Sequence, residues 1–265
     1  MKPGEYVSTN KSKEIAIATR CTKATTMKKY GIAGLALSLV LAASCYGRPK
    51  DAGTPATRSD ATITIRVLNY ADVKPASLLS AERTATDILR KAGVDSVWIE
   101  CGGGQAGWRE PGCSSPVTPL DLVVNLLPRS LAQPLHFRVE TLGAAVESTG
   151  KNFGFFAYVF YDNVKDCAVQ ESLDLAQLLG DTIVHELAHL LLGAHSHSNS
   201  GVMSPCWRGR EFLAVKQSRL FFSSSEQKRL QATLAARTLA ASSSSASPEL
   251  HPATNTQSGL ATARK

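Results

Sequence analysis

Residues 181–207 read DTIVHELAHLLLGAHSHSNSGVMSPCW. The apolar residues of its first half predict a helix that carries His185, Glu186 and His189. On a helix, residues four apart share a face, which brings the two imidazoles to one side. Zn2+ takes nitrogen ligands in such a place, and a catalytic centre uses three protein ligands with one position left open. Glu186 follows the first histidine directly, where it can serve as a general base. Gly193 is the expected end of the helix, because glycine tolerates the positive φ found at helix ends. Beyond it stand His195 and His197, two further candidate metal ligands.

A solitary histidine on an apolar helix is ordinarily a core residue. Four histidines within residues 185–197, in register with a glutamate, do not fit that description, since only His136 and His251 occur elsewhere. Asp181, one turn before His185, reads either as an orienting partner for it or as a helix-surface carboxylate. Tyr161 reads as a core aromatic ending a strand, or as a group that stabilises a reaction intermediate.

The stretch resembles the metzincin metalloproteases, whose H-E-x-x-H-x-x-G-x-x-H motif is followed by a turn containing methionine. Against the matrixin pattern, His185, His189 and His195 match the three ligands and Glu186 the base. Met203, in Gly201-Val202-Met203-Ser204-Pro205, matches the Met-turn. The departure is Leu192 at the family's glycine position, with Gly193 one residue late. The segment is also similar to a group of bacterial secreted proteins with H-E-x-x-H-L-L-L-G and then H-S-x-x-G-[IV]-M. There His197, Ser198, Gly201, Met203 and Trp207 take the matching places. The two resemblances name different third ligands, so His195 and His197 both stay open.

The resemblance implies an α+β fold: a metzincin-like catalytic domain with a mixed twisted sheet of about five strands, a long metal-binding helix and a C-terminal helix. It also implies a Zn2+-dependent endopeptidase with Glu186 as general base and Met203 as a platform rather than a ligand. A peptide or protein substrate would lie extended along an exposed antiparallel edge, here Leu142 to Glu147. The alternative is a non-catalytic zinc-binding cell-envelope lipoprotein in which a fourth protein ligand closes the shell. Glu186 would have no task in such a site. A lipid-anchored adhesion module, indifferent to metal, is a third class.

The remaining sequence fits the same plan. Thr62 to Tyr70 alternates as a strand does, Ser77 to Ala92 has helical spacing, and Val94 to Glu100 reads as a second strand. Strand, helix, strand predicts a parallel crossover. Leu120 to Leu127, Thr141 to Glu147 and Phe153 to Tyr161 are further strands. A helix is expected from Glu171 to Leu192, with Trp98 and Trp207 in the core. The run Gly102-Gly103-Gly104 reads as a flexible turn, because no helix follows it to make a phosphate cradle. Ser223 and Glu226 form a capping-box pattern before a helix to about Ala240.

The ends differ from the middle. Residues 1–50 hold nine Lys or Arg and two acidic residues, which accounts for the whole formal charge of +7 and leaves the remainder balanced. Nothing there points to a nucleic-acid partner. Met27-Lys28-Lys29 followed by the apolar Gly31 to Ala43 predicts an export signal, with translation starting at Met27. Cys45 after Ala42-Ala43-Ser44 resembles a lipoprotein signal, which implies possible membrane anchoring through a lipidated Cys45. The expected organisation is residues 1–45 as signal segment, 46–60 as linker, 61–241 as the metalloprotease domain and 242–265 as a disordered tail. An exported domain favours disulfides, and the local pairing is Cys101 with Cys113, leaving Cys167 with Cys206.

Overall fold

The computed structural model describes residues 16–21, 61–102, 112–146, 153–193 and 196–245. The signal at 27–45 with Cys45, the linker at 46–60, His195, the turn at 148–152 and residues 246–265 lie outside the described residues.

The sheet grows from β2 (Thr62–Asn69), where Ile63, Ile65 and Val67 are fully buried on one face because side chains two apart point the same way. Helix α1 (Pro75–Lys91) starts on a proline, whose fixed φ suits the first turn. It buries Leu78, Ala81, Ala85, Ile88 and Leu89 at intervals of three and four. β3 (Asp95–Gly102) then returns parallel to β2, the crossover that the strand-helix-strand order predicts. On the other side of β2 come β4 (Asp121–Leu127) and β6 (Phe156–Phe160), both parallel, and then β5 (Thr141–Val146), antiparallel to β6. A single turn of helix, α2 (Arg129–Ala132), leads away from β4.

Two strands were not expected: β7 (Cys206–Trp207) and β1 (Ala16–Cys21), the latter within the stretch read as a leader. They extend the sheet to seven strands rather than about five, in the order β3-β2-β4-β6-β5-β1-β7. An edge strand leaves a row of N–H and C=O groups without partners. β1 supplies them for β5.

A further difference concerns the helix expected from Glu171 to Leu192. It is preceded by a separate helix, α3 (Tyr161–Glu171), and begins only as α4 (Leu175–Leu192). Ser172 adopts a left-handed φ of 52°, which stops α3. Asp174 then caps α4 by accepting the Gln177 N–H at 2.8 Å, a contact typically worth about 1 kcal/mol. Helix α5 (Gly209–Lys216) stands where the sequence pattern is mixed. The expected box opens α6 (Ser224–Ser245): the Ser223 N–H donates to Glu226 at 2.6 Å, and the Glu226 N–H to Ser223 Oγ at 3.3 Å. α6 continues to Ser245, beyond Ala240 and into the stretch expected as tail.

α4 is the centre of the molecule, buried continuously from Leu178 to Leu192 between the sheet, α1 and α6. Gly180 lets α1 come close, since a Cβ there would stand 2.5 Å from the Ala81 carbonyl oxygen. The opposite face of the sheet carries a smaller core of Leu68, Cys101, Cys113 and Val123, closed by the expected Cys101–Cys113 disulfide. Arg66, 3% exposed, pairs there with Asp121 at 3.0 Å. The other expected disulfide is not formed. Cys206 is a free thiol, and Cys167 is bonded to a cysteine outside the described side chains. Topology explains this, because α3 packs on α4 and β5, whereas β7 lies at the far edge beyond β1. No helix among the described residues is long and apolar enough to cross a membrane.

Candidate metal centre

His185 and His189 project from one face of α4, as the spacing of four predicts, and both are fully buried. Gly193 ends the helix at φ 77°, its N–H still donating to the His189 carbonyl at 3.0 Å. His197, four residues past Gly193, lies at the same point. His189 Nε2 lies 3.0 Å from His185 Nε2 and 3.1 Å from His197 Nε2. One ligand atom from each of the three falls within 4.8 Å of the others.

The outer nitrogens decide what the inner ones can do. His185 Nδ1 sits 2.6 Å from the Val202 carbonyl oxygen, which only accepts, so Nδ1 carries the proton and Nε2 presents a lone pair. His189 Nδ1 lies 2.9 Å from Ser196 Oγ, a buried hydroxyl able to hold the same tautomer. Lone pairs about 3 Å apart repel unless a proton or a cation lies between them. Burial first, then the neighbouring histidines, make that proton costly: His185 is pushed down to about 3 and His189 to about 2, while burial lowers His197 as well. Three neutral imidazoles with converging lone pairs form a cation site. Tetrahedral Zn2+ with bonds of 2.0–2.1 Å would hold its nitrogens roughly 3.3 Å apart, close to the separations here. The donor set therefore fits the metal expected from the sequence.

The turn expected as a Met-turn reaches this cluster through Val202, whose carbonyl faces His185 Nδ1 at 2.6 Å. Met203 is fully buried, and its carbonyl accepts the Ser198 N–H at 2.9 Å, tying the loop that carries His197 to the turn. Gly201 takes φ 80° and packs against the Phe221 carbonyl, where a Cβ would come within 2.6 Å. Trp207, fully buried, sets its ring edge-on to His185 with centroids 5.8 Å apart and donates to the Val202 carbonyl at 3.3 Å. It is a core residue as expected, and also a wall of the metal centre.

Glu186, next to the first histidine, is fully buried and turns toward β5. Gly143 lies against it: a Cβ there would meet Glu186 Cγ at 2.6 Å and Oε1 at 2.7 Å. Glu186, the histidines of the cluster and the antiparallel strand expected at the cleft thus belong to one locality.

Other candidates fall elsewhere. Asp181 is neither on the surface nor bonded to His185. It is fully buried and receives the Gln177 amide at 3.2 Å, while burial raises its carboxyl well above the usual range. Tyr161 opens α3 and packs half-buried on the main core, its hydroxyl raised by burial and then by Asp162. Ser196 was not anticipated as a partner of His189. The available signal was a hydroxyl directly after the helix-ending turn, next to the candidate ligands.

No protein-family model matches the chain, and no curated protein matches it in sequence. Several solved structures are distantly similar, among them the following two. The crystal structure of archaemetzincin from Methanopyrus kandleri is 14% identical, with a TM-score of 0.40, covering 68% of this chain and 99% of that one. The solution structure of TM1509 from Thermotoga maritima is also 14% identical, with a TM-score of 0.29, covering 71% of this chain and 99% of that one. Both scores are too low to establish a shared fold, so function rests on the site's own geometry.

Proposed function

We propose that the chain is a zinc-dependent endopeptidase with a metzincin-like catalytic domain, in which His185, His189 and His197 hold the metal. The observation that carries this reading is the convergence of three imidazoles, two of them on the helix that carries the buried Glu186. Zinc, when bound, supplies a Lewis acid that polarises a carbonyl and brings the pKa of water near ~7.

The chain's own residues do the rest. The Val202 carbonyl fixes the tautomer of His185, and the Ser196 hydroxyl can accept the His189 Nδ1 proton, which leaves both Nε2 lone pairs available. Glu186 accepts a proton from the attacking water and passes it to the leaving amine, a two-way transfer that a carboxylate can perform and an amide cannot. β5 has the antiparallel direction that an extended peptide needs, but its outer edge, expected to be exposed from Leu142, is paired with β1, which a bound peptide would have to replace. Trp207 stands edge-on to His185, and Met203, the proposed platform, is buried in the main core. Export, anchoring through Cys45 and a mature domain from about residue 61 complete the proposal.

The direct test is zinc stoichiometry with hydrolysis of a mixed peptide library, before and after chelation and on zinc restoration. About one zinc per chain with activity that follows it supports the reading. One zinc with no hydrolysis favours the closed, non-catalytic zinc lipoprotein, and absence of zinc removes both.

A further inference from the structure

The inner face of α6 carries a charge among its apolar residues. Leu230, Leu234 and Arg237 follow one another at helical intervals, and all three are fully buried. The Arg237 guanidinium donates from Nη1 to the Pro119 carbonyl at 2.7 Å, and from Nη2 to the Gly154 carbonyl at 2.9 Å and the Leu190 carbonyl at 2.8 Å. It lies over the Phe153 ring at 4.6 Å and near that of Phe155 at 5.8 Å. Among the described residues, all the hydrogen bonds it makes go to backbone carbonyls and none to a carboxylate. Burial lowers it from 12.5 to about 10, which still leaves it charged at neutral pH.

A buried cation without a carboxylate is costly unless other groups replace its lost water. The end of α4 does so. The last four carbonyls of a helix have no partner within it, and the negative end of the helix dipole lies there. In α4 the His189 carbonyl takes the Gly193 N–H, the Leu190 carbonyl takes Arg237, and the Leu192 carbonyl takes Arg229 Nη2 at 2.8 Å. Both arginines come from α6, and they hold the turn that carries His189 and leads through Gly193 toward His197. Pro119 and Gly154 stand just before β4 and β6, so the same guanidinium also fastens the starts of two strands to the helix.

We infer that Arg237, together with Arg229, is a positioning residue for the metal centre: the pair fixes where α4 ends, and thereby where the chain leaves toward His197. This role rests on the metal reading above and not on peptide hydrolysis. The spread of the planar fork lets Nη1 and Nη2 serve three segments, a span that a single ammonium nitrogen does not have. His185, one turn deeper in α4, is held by the Val202 carbonyl rather than by α6. Loss of the clamp therefore loosens His197 against His189 and leaves the two helical histidines together.

The test uses the full chain, with Zn2+ titrated for affinity and Co2+ as a spectroscopic stand-in, because four-coordinate Co2+ absorbs visible light far more strongly than Co2+ of higher coordination number. Arg237→Lys is expected to raise the Zn2+ Kd by about tenfold or more and to weaken the visible bands at Co2+ saturation. Arg229→Gln, at an exposed position, should shift both in the same direction by less. Leu68→Ala, in the smaller core on the other face of the sheet, lowers Tm with α6 intact and should keep the parent's Kd and spectrum. Parent values in Arg237→Lys, or the same losses in Leu68→Ala, overturn the inference. If Arg237→Lys does not fold, Arg229→Gln decides alone, and parent values there overturn it. A parent chain that takes up neither ion removes the metal centre and this role with it. The expected shifts in a chain that cleaves no peptide support the positioning role and sink only the peptidase.

Discussion

Gly143 and Glu186 are packed so closely that no side chain fits between them: a Cβ on residue 143 would stand 2.6 Å from the glutamate's Cγ. Strand β5 thereby sets where the carboxylate can point. Gly143→Ala is expected to displace Glu186 and to lower kcat on a peptide substrate by about a hundredfold, the cost of misplacing a reacting group by about 1 Å. Zinc stoichiometry should not change, because the histidines do not touch this position. Steady-state kinetics beside metal analysis checks it, and loss of zinc would contradict it.

Ser196 Oγ faces His189 Nδ1 at 2.9 Å from a buried position. Removing an outer partner of a metal-binding histidine typically weakens the metal by about 10–100-fold. Ser196→Ala should therefore raise the zinc Kd by about tenfold or more, and Ser196→Thr, which keeps the hydroxyl, should restore it. Competition with a chromogenic chelator reads both.

The proposed third ligand is His197, whose Nε2 lies 3.1 Å from that of His189. His197→Ala should lose stoichiometric zinc, as His185→Ala and His189→Ala should. His195→Ala should keep it. The reverse pattern would restore the matrixin-like alignment of His195.

Far from the metal, Glu82 on α1 is 6% exposed, and its Oε1 has no hydrogen bond among the described residues. Burial, and then the charge of Glu100, raise its carboxyl from 4.5 to about 7. The folded state thus favours the protonated form. Its contribution is least unfavourable below pH 4.5, worsens as pH rises toward 7, and is constant above. Glu82→Gln should gain thermal stability relative to the parent across pH 5–7.5 and hold that gain at higher pH. A difference in Tm that is flat with pH would contradict the assignment.

What the sequence disclosed followed its periodicities. His185, Glu186 and His189 were legible because their spacing is helical and survives any detail of the fold. The parallel crossover of β2, α1 and β3 was legible for the same reason. The third ligand was not, because it depends on how the chain turns after Gly193, and no spacing rule sets that turn. α3 was overlooked although Val164, Cys167 and Ala168 mark its inner face. The break before α4 had a signal as well, since Asp174 and Gln177 stand three apart as in a capping box. The Cys167–Cys206 pairing was chosen by elimination among four cysteines, but Cys167 pairs with a cysteine outside that set. The strand at residues 16–21 was hidden because a strand that completes an edge far away in sequence leaves no local mark.

The measurement closest to the central claim compares wild type with Glu186→Gln for zinc content and peptide hydrolysis in the same preparation. The account predicts about one zinc in each, with cleavage by wild type and a loss of at least about a hundredfold in the variant. Equal hydrolysis by both chains, or zinc bound by both with cleavage by neither, would contradict it.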